Sequence, residues 1–80
     1  MYYVYVIEDG AGNLYKGYTN NLERRLREHK SGHTKTTSRM KGILTIKYIE
    51  EVETLNEALK RERYLKSAAG RRFLKKVLGP

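Results

Sequence analysis

Tyr2-Tyr3-Val4-Tyr5-Val6-Ile7-Glu8-Asp9-Gly10-Ala11-Gly12-Asn13-Leu14-Tyr15-Lys16-Gly17-Tyr18-Thr19 reads as a β-hairpin, and the rest of the chain is placed around it. Residues 2–7 are aromatic or β-branched throughout, the composition of a strand. Residues 8–13 supply turn residues, and residues 14–19 resume as a second strand, giving an antiparallel pair with a longer-than-minimal loop. Tyr3, Tyr5 and Ile7 share one face, and Tyr2, Val4 and Val6 the other. Tyr5 and Tyr15 are positioned to stand side by side across the hairpin, where ordinary cross-strand packing accounts for them. Gly17, inside the second strand, marks a bulge or a close approach to the backbone.

Outward from the hairpin, Asn20 or Asn21 is an N-cap for a helix. In that helix Leu22, Arg25, Leu26 and His29 recur as one stripe, with Arg24, Arg27 and Glu28 on the other side. Ser31-Gly32 stops it. Residues 33–42 are polar, basic and hydroxyl-rich, a surface loop. Residues 43–49 read as a third strand. A second long helix starts near Thr54, with Leu55, Ala58, Leu59 and Leu65 on one side. Gly70 breaks that pattern. Phe73, Leu74, Val77 and Leu78 then mark a last amphipathic helix. The expected fold is α/β of the α+β kind: a three-stranded antiparallel sheet flanked by helices, order ββαβαα. Residues 1–80 are expected to form one domain, since so short a chain cannot build two cores.

Composition narrows the function classes. There is no cysteine, so disulfides and thiolate metal sites are excluded. The longest apolar runs are too short to span a bilayer. No basic region precedes the apolar start, so the cytoplasm is the expected location and no membrane partner is expected. Residues 1–57 carry nine basic and eight acidic side chains, a net of +1, whereas residues 58–80 carry eight basic side chains and one acid, a net of +7. Such asymmetry is a footprint for a polyanion, nucleic acid ahead of acidic lipid or a merely solvated basic surface. Lys60, Arg61, Arg71, Arg72, Lys75 and Lys76 are the candidate nucleic-acid contacts.

Three features resist a purely structural reading. Glu62 falls within the apolar stripe of its helix, surrounded at the surface by Lys60, Arg61, Arg63 and Lys66. An inward carboxylate is costly unless it is paired or holds a cation, and the residues alone allow both. Arg25 and His29, four apart, should both face the body of the domain, where a neutral imidazole can act as a base near neutral pH. Seven tyrosines complete the set. No zinc spacing, P-loop, dinucleotide fingerprint or nucleophile elbow is present, and His29 with His33 is a weak zinc argument.

These residues converge. Tyr3-Val4-Tyr5, Tyr15-Lys16-Gly17 and the run from Thr19 to His29, with the later Glu57-Ala58-Leu59-Lys60-Arg61-Glu62-Arg63-Tyr64-Leu65-Lys66, resemble the GIY-YIG nuclease domain. The match spans residues 2–78 in four ordered blocks, and the chain is similar to compact, stand-alone members related to the excision-repair incision nuclease. The resemblance implies a metal-dependent endonuclease leaving a 3′-hydroxyl, in repair or recombination. It implies Tyr5 and Tyr15 as the tyrosines that orient or deprotonate water, Gly17 as the glycine keeping the strand open, and Arg25 as the phosphate clamp. His29 takes the position that His or Tyr fills in relatives, and Glu62 becomes the sole ligand of Mg²⁺ or Mn²⁺. Three positions depart from the pattern: Tyr3 for glycine, Lys16 for an apolar residue and Tyr18 for the lysine of some relatives.

The implied roles agree with the chemistry. Mg²⁺ accepts one carboxylate because it keeps several waters, and Arg binds phosphate through a planar fork that Lys cannot copy. A tyrosine, whose reference pKa is near ~10, is a poor base alone, so Tyr15 needs a metal's field or a relay through His29 to serve as base. The expected partner is DNA, with RNA as the other nucleic acid these residues allow, and recognition of structure or backbone rather than base sequence. A repair-protein partner or a homodimer is compatible with so small a domain. The rival function is a non-catalytic nucleic-acid-binding module using the basic C-terminal helices; a scaffold for a repair complex is a third reading.

Overall fold

The computed structural model of the chain describes residues 1–30 and 42–79. Its elements run β1 (Tyr2–Glu8), β2 (Leu14–Thr19), α1 (Leu22–Lys30), β3 (Thr45–Val52), α2 (Leu55–Lys66) and α3 (Ala68–Leu78), the expected ββαβαα order. The sheet is antiparallel throughout, with strand order β2-β1-β3.

β1 is central, and its middle four residues, Val4 to Ile7, are all buried because both faces of the strand are covered. On one face Val4 and Val6 join Val52, Ala58, Leu65 and Leu74 beneath α2 and α3, with Tyr18, Tyr48 and Phe73 packed around them. Burying each such aliphatic side chain stabilises the fold by roughly 1.5–3 kcal/mol. On the opposite face Tyr5 meets His29 of α1. Ile7, Leu26 and His29 line one small hollow there. The sheet is thus a wall between α1 and the α2–α3 pair.

The turns follow local chemistry. Asp9 accepts hydrogen bonds at Oδ1 from the backbone N–H groups of Ala11 and Asn13, both at 2.9 Å, closing the hairpin loop. Asn21, of the two expected candidates, caps α1: its Oδ1 accepts from Arg24 N at 3.0 Å. Thr54 caps α2 by accepting from Glu57 N.

Three sequence expectations shift. β3 starts and ends later than 43–49, at Thr45–Val52, and Ile43 is 81% exposed. Its span is set by its partner, since Tyr2 pairs with Val52 and Glu8 with Thr45, and a bulge at Val6/Ile7 offsets the register. The break between α2 and α3 lies at Ser67, not Gly70. Ser67 is extended (φ −77°, ψ 168°), donates its N–H to Tyr64 O and caps α3 by accepting from Gly70 N. Gly70 lies within α3, buried, because a Cβ there would strike the backbone of Tyr64 and Leu65. Leu55 is 42% exposed, so the buried line of α2 runs through Ala58 and Leu65, with Glu62 on its flank. The expected helix stop at Ser31-Gly32, His33 and the loop up to residue 41 lie outside the described residues. No helix among the described residues is long and apolar enough to cross a membrane.

Candidate active-site cleft

A cleft of about 490 Å³ runs along the edge strand β2. Its walls include Tyr5, Tyr15, Gly17, Arg25, His29 and Glu62, so side chains from β1, β2, α1 and α2 meet there. The strand alternation explains how: Tyr5, Tyr15 and Gly17 belong to the α1-facing side of the hairpin, whereas Lys16 and Tyr18, also in the wall, belong to the other. The cleft therefore wraps the edge of the sheet, and that is how α2 delivers Glu62 to residues held by α1.

Tyr5 pairs directly with Gly17, and Tyr15 pairs with Ile7, so the two tyrosines are diagonal rather than opposite. A Cβ on Gly17 would lie 2.6 Å from the Tyr5 hydroxyl oxygen. The missing side chain is thus the room in which the phenol lies. Tyr5 is 2% exposed and His29 5%. Their rings meet edge to face, with centroids 5.7 Å apart and planes at 74°. The Tyr5 hydroxyl is 2.8 Å from His29 Nε2. Arg25 Nε donates to the same hydroxyl oxygen at 3.4 Å.

The protonation pattern follows. Arg25 can only donate, so the Tyr5 oxygen accepts from it and keeps a second lone pair and one hydrogen for His29. With Nε2 unprotonated the phenol donates to the ring; with a proton on Nε2 the ring donates to the phenol oxygen. Burial raises the Tyr5 pKa, opposed by the hydrogen bond and charge of Arg25, with Glu62 and Glu28 adding to the rise. Burial lowers the pKa of His29, and Arg25 lowers it further, against Glu28. Both shifts favour a neutral phenol bonded to a neutral imidazole. His29 is therefore bonded to Tyr5, whereas the sequence reading sought its relay from Tyr15.

Arg25 Nη1 lies 3.4 Å from Glu28 Oε1, with both side chains a little over a third exposed. Glu28 thus joins the cleft wall, although the helix pattern put it on the far side; its i,i+3 spacing from Arg25 was the available signal. Glu62 is 20% exposed, and Lys66 Nζ lies 3.4 Å from its Oε1. Lys66 is 55% exposed, and such an i,i+4 pair contributes only about 0.3–0.5 kcal/mol. Glu62 is therefore held lightly and can exchange its partner for a cation. Among the described residues no three His, Asp or Glu side chains form a metal cage. Glu62, offering a single carboxylate where Glu28 is engaged with Arg25, suits a cation that keeps most of its waters, as Mg²⁺ does.

The candidate nucleic-acid contacts divide. Arg61 is committed inside the fold: its Nη2 donates to Glu50 Oε2 at 3.0 Å and its Nε lies 2.6 Å from Oε1. The same guanidinium stacks 4.7 Å from the Tyr64 ring centroid. Its neighbours turn it from a surface cation into a packing residue, which the helix pattern alone did not reveal. Lys60, Arg71, Arg72, Lys75 and Lys76 are exposed, and none belongs to the wall of the main cleft.

Comparison with known proteins agrees with this arrangement. Residues 1–76 match the model of the GIY-YIG catalytic domain. A UPF0213 protein of Halobacterium salinarum is 36% identical over 66 residues, covering 82% of this chain and 86% of that one. Another, from Staphylococcus saprophyticus, is 30% identical over 76 residues, covering 95% and 93%. The solution structure of a UPF0213 protein from Bacillus halodurans superposes with a TM-score of 0.59 at 29% identity, covering 96% of this chain and 85% of that chain.

Proposed function

This chain belongs to the GIY-YIG catalytic-domain family, a nuclease family, and from that premise we propose that it is a divalent-metal-dependent endonuclease hydrolysing phosphodiester bonds in DNA. The observation that carries the proposal is the meeting of Tyr5, Tyr15, Arg25, His29 and Glu62 in one cleft, from four elements. Hydrolysis requires a positioned water, stabilisation of charge on the phosphoryl oxygens and an acceptor for the water's proton.

Arg25 supplies the charge. A phosphate entering the cleft displaces Glu28 from Nη1 and is gripped by the guanidinium fork, while Nε continues to orient Tyr5. The Tyr5–His29 pair supplies the proton acceptor. As attacking water bonds to phosphorus and gives its proton to the Tyr5 oxygen, the Tyr5 hydrogen passes along the 2.8 Å contact to an unprotonated Nε2. The P–O3′ bond breaks, and the departing oxygen takes a proton from solvent water to leave a 3′-hydroxyl. The imidazole must be neutral for that step, and burial keeps it so. Tyr15, in the same wall, bounds the space for water and substrate. Glu62 would hold Mg²⁺ or Mn²⁺, which when bound polarises the phosphoryl oxygens and acidifies water. The mixture of cations and tyrosine rings in the wall favours recognition of backbone and strand geometry over base sequence, in keeping with a role in repair or recombination.

A panel of flapped, branched and single-stranded DNA and RNA, incubated with Mg²⁺ or Mn²⁺, tests the reading. Wild type is expected to nick at least one DNA, and Arg25→Ala and Glu62→Ala each to lose about 10²–10³ of that rate. Folded protein that binds these substrates and cuts none of them with either metal leaves the non-catalytic binding module as the function.

A further inference from the structure

Lys16 occupies the middle of Tyr15-Lys16-Gly17, where the family pattern has an apolar residue, and the structure gives that departure a setting. It is half-buried on the face of β2 opposite Tyr15, paired across the strands with Val6. It lines the active-site cleft together with Lys66. It lines the adjoining hollow of about 350 Å³ with Tyr15, Lys66 and Arg71. It also lines a third hollow beyond, with Arg71 and Lys75. Three elements, β2, α2 and α3, thus send cations toward one stretch of the sheet edge. Of these, only Lys66 has an acidic partner among the described residues, and that partner is Glu62.

Partly burying a lysine beside two further cations is unfavourable for the empty protein. Burial lowers the Lys16 pKa, and Arg71 and then Lys66 lower it further. The arrangement is relieved when an anion sits between the cations. Tyr15, Lys16 and Lys66 belong to both the cleft and the adjoining hollow, so an anion bound there is next to one bound at Arg25 and Glu62.

We propose that Lys16, Lys66 and Arg71 form a second phosphate site, which holds a backbone phosphate flanking the scissile one on the same nucleic-acid strand. The site deepens the nuclease reading and rests on it for the strand's identity. Because it reads phosphodiesters, it serves DNA and RNA backbones alike. It also explains why Lys16 tolerates repulsion: the residue trades stability of the free protein for grip on the strand.

The test uses the full chain carrying Glu62→Ala, so that binding is read without cutting, with fluorescent single-stranded DNA and RNA oligonucleotides across a salt series. Adding Lys16→Ile is expected to weaken binding about 3–10-fold and to flatten the salt slope by roughly 0.7. Arg71→Ala should do likewise, and the two together should cost less than the product of the single effects, since both reach one phosphate. Arg63→Ala, on an exposed position of α2, is the comparison and should change neither quantity. Lys16→Ile should also raise Tm, by about 3 °C, which shows that the weaker binding is not a folding defect. A methylphosphonate scan of the oligonucleotide should reveal one position whose neutralisation weakens the parent protein and leaves Lys16→Ile indifferent. If Lys16→Ile binds with unchanged affinity and slope, the second site is wrong while the nuclease reading stands. If the parent protein binds neither oligonucleotide, the second site is likewise overturned, whereas the nuclease reading stands or falls on the cleavage panel.

Discussion

At Gly17 the volume a side chain would take is already filled by the phenol of Tyr5, whose Cζ would lie 2.7 Å from an added Cβ. That phenol is held from two other sides by His29 and Arg25. Gly17→Ala is therefore expected to push the hydroxyl off Nε2. The cost to stability should be about 1 kcal/mol, the net worth of one hydrogen bond, while nuclease activity falls by roughly 10² or more. Urea denaturation beside a cleavage assay separates the two losses; equal losses through unfolding would contradict the account. His29 yields a prediction in pH. Its folded pKa lies below the ordinary 6.5, chiefly through burial and then through Arg25. Between that depressed value and 6.5 the unfolded chain binds a proton that the folded chain does not. The stability of the neutral imidazole is thus complete above 6.5 and is lost as pH falls through that window. Tm measured from about pH 8 to about pH 5 should decline on the acid side, and His29→Gln should flatten this part of the decline. Were His29 the proton acceptor proposed above, the acid limb of the cleavage-rate profile would be expected below pH 6.5, because burial and then Arg25 lower its pKa.

Among the elements, the α2–α3 pair shows how a short chain turns a corner. Ser67 ends one helix and caps the next, and Gly70 lets the backbones touch at the turn. A Cβ at Gly70 would stand 2.5 Å from Leu65 Cα, a backbone atom that cannot swing aside. Gly70→Ala is expected to cost roughly 3 kcal/mol, read as a lower urea midpoint with an unchanged slope. A variant as stable as wild type would mean that the helices slide apart easily. The helix periodicity had marked this glycine as a break because glycine is a poor helix former, and nothing in one sequence shows that a second helix passes beside it. The later start of β3 has a similar origin: its limits come from pairing with β1, and its Glu50 is placed to receive Arg61.

For the molecule as a whole, the cleft exists because one sheet edge is reached from both faces. Arg25 and His29 arrive on α1 from one side, and Glu62 arrives on α2 from the other. Arg25 and Glu62 would then act on a single transition state, and removing either should disable most of what the other contributes. The double variant Arg25→Ala/Glu62→Ala is accordingly expected to be no more than about 10-fold slower than the worse single variant. Rate losses that simply multiply would show that the two residues work at separate sites.

By itself the sequence determined the element order, the two faces of the hairpin, the start of the first helix after Asn20 or Asn21 and the concentration of positive charge after residue 57, because these follow from neighbours within a few positions. It also supplied the five side chains of the cleft, through motif spacing. Only the tertiary structure decided which of them touch. It joined His29 to Tyr5 instead of Tyr15, brought Glu28 into the wall, withdrew Arg61 to Glu50 and set Lys16 beside Lys66 and Arg71. Contacts between side chains on different elements depend on how helices cross a twisted sheet, and side-chain periodicity within one element carries no record of that crossing.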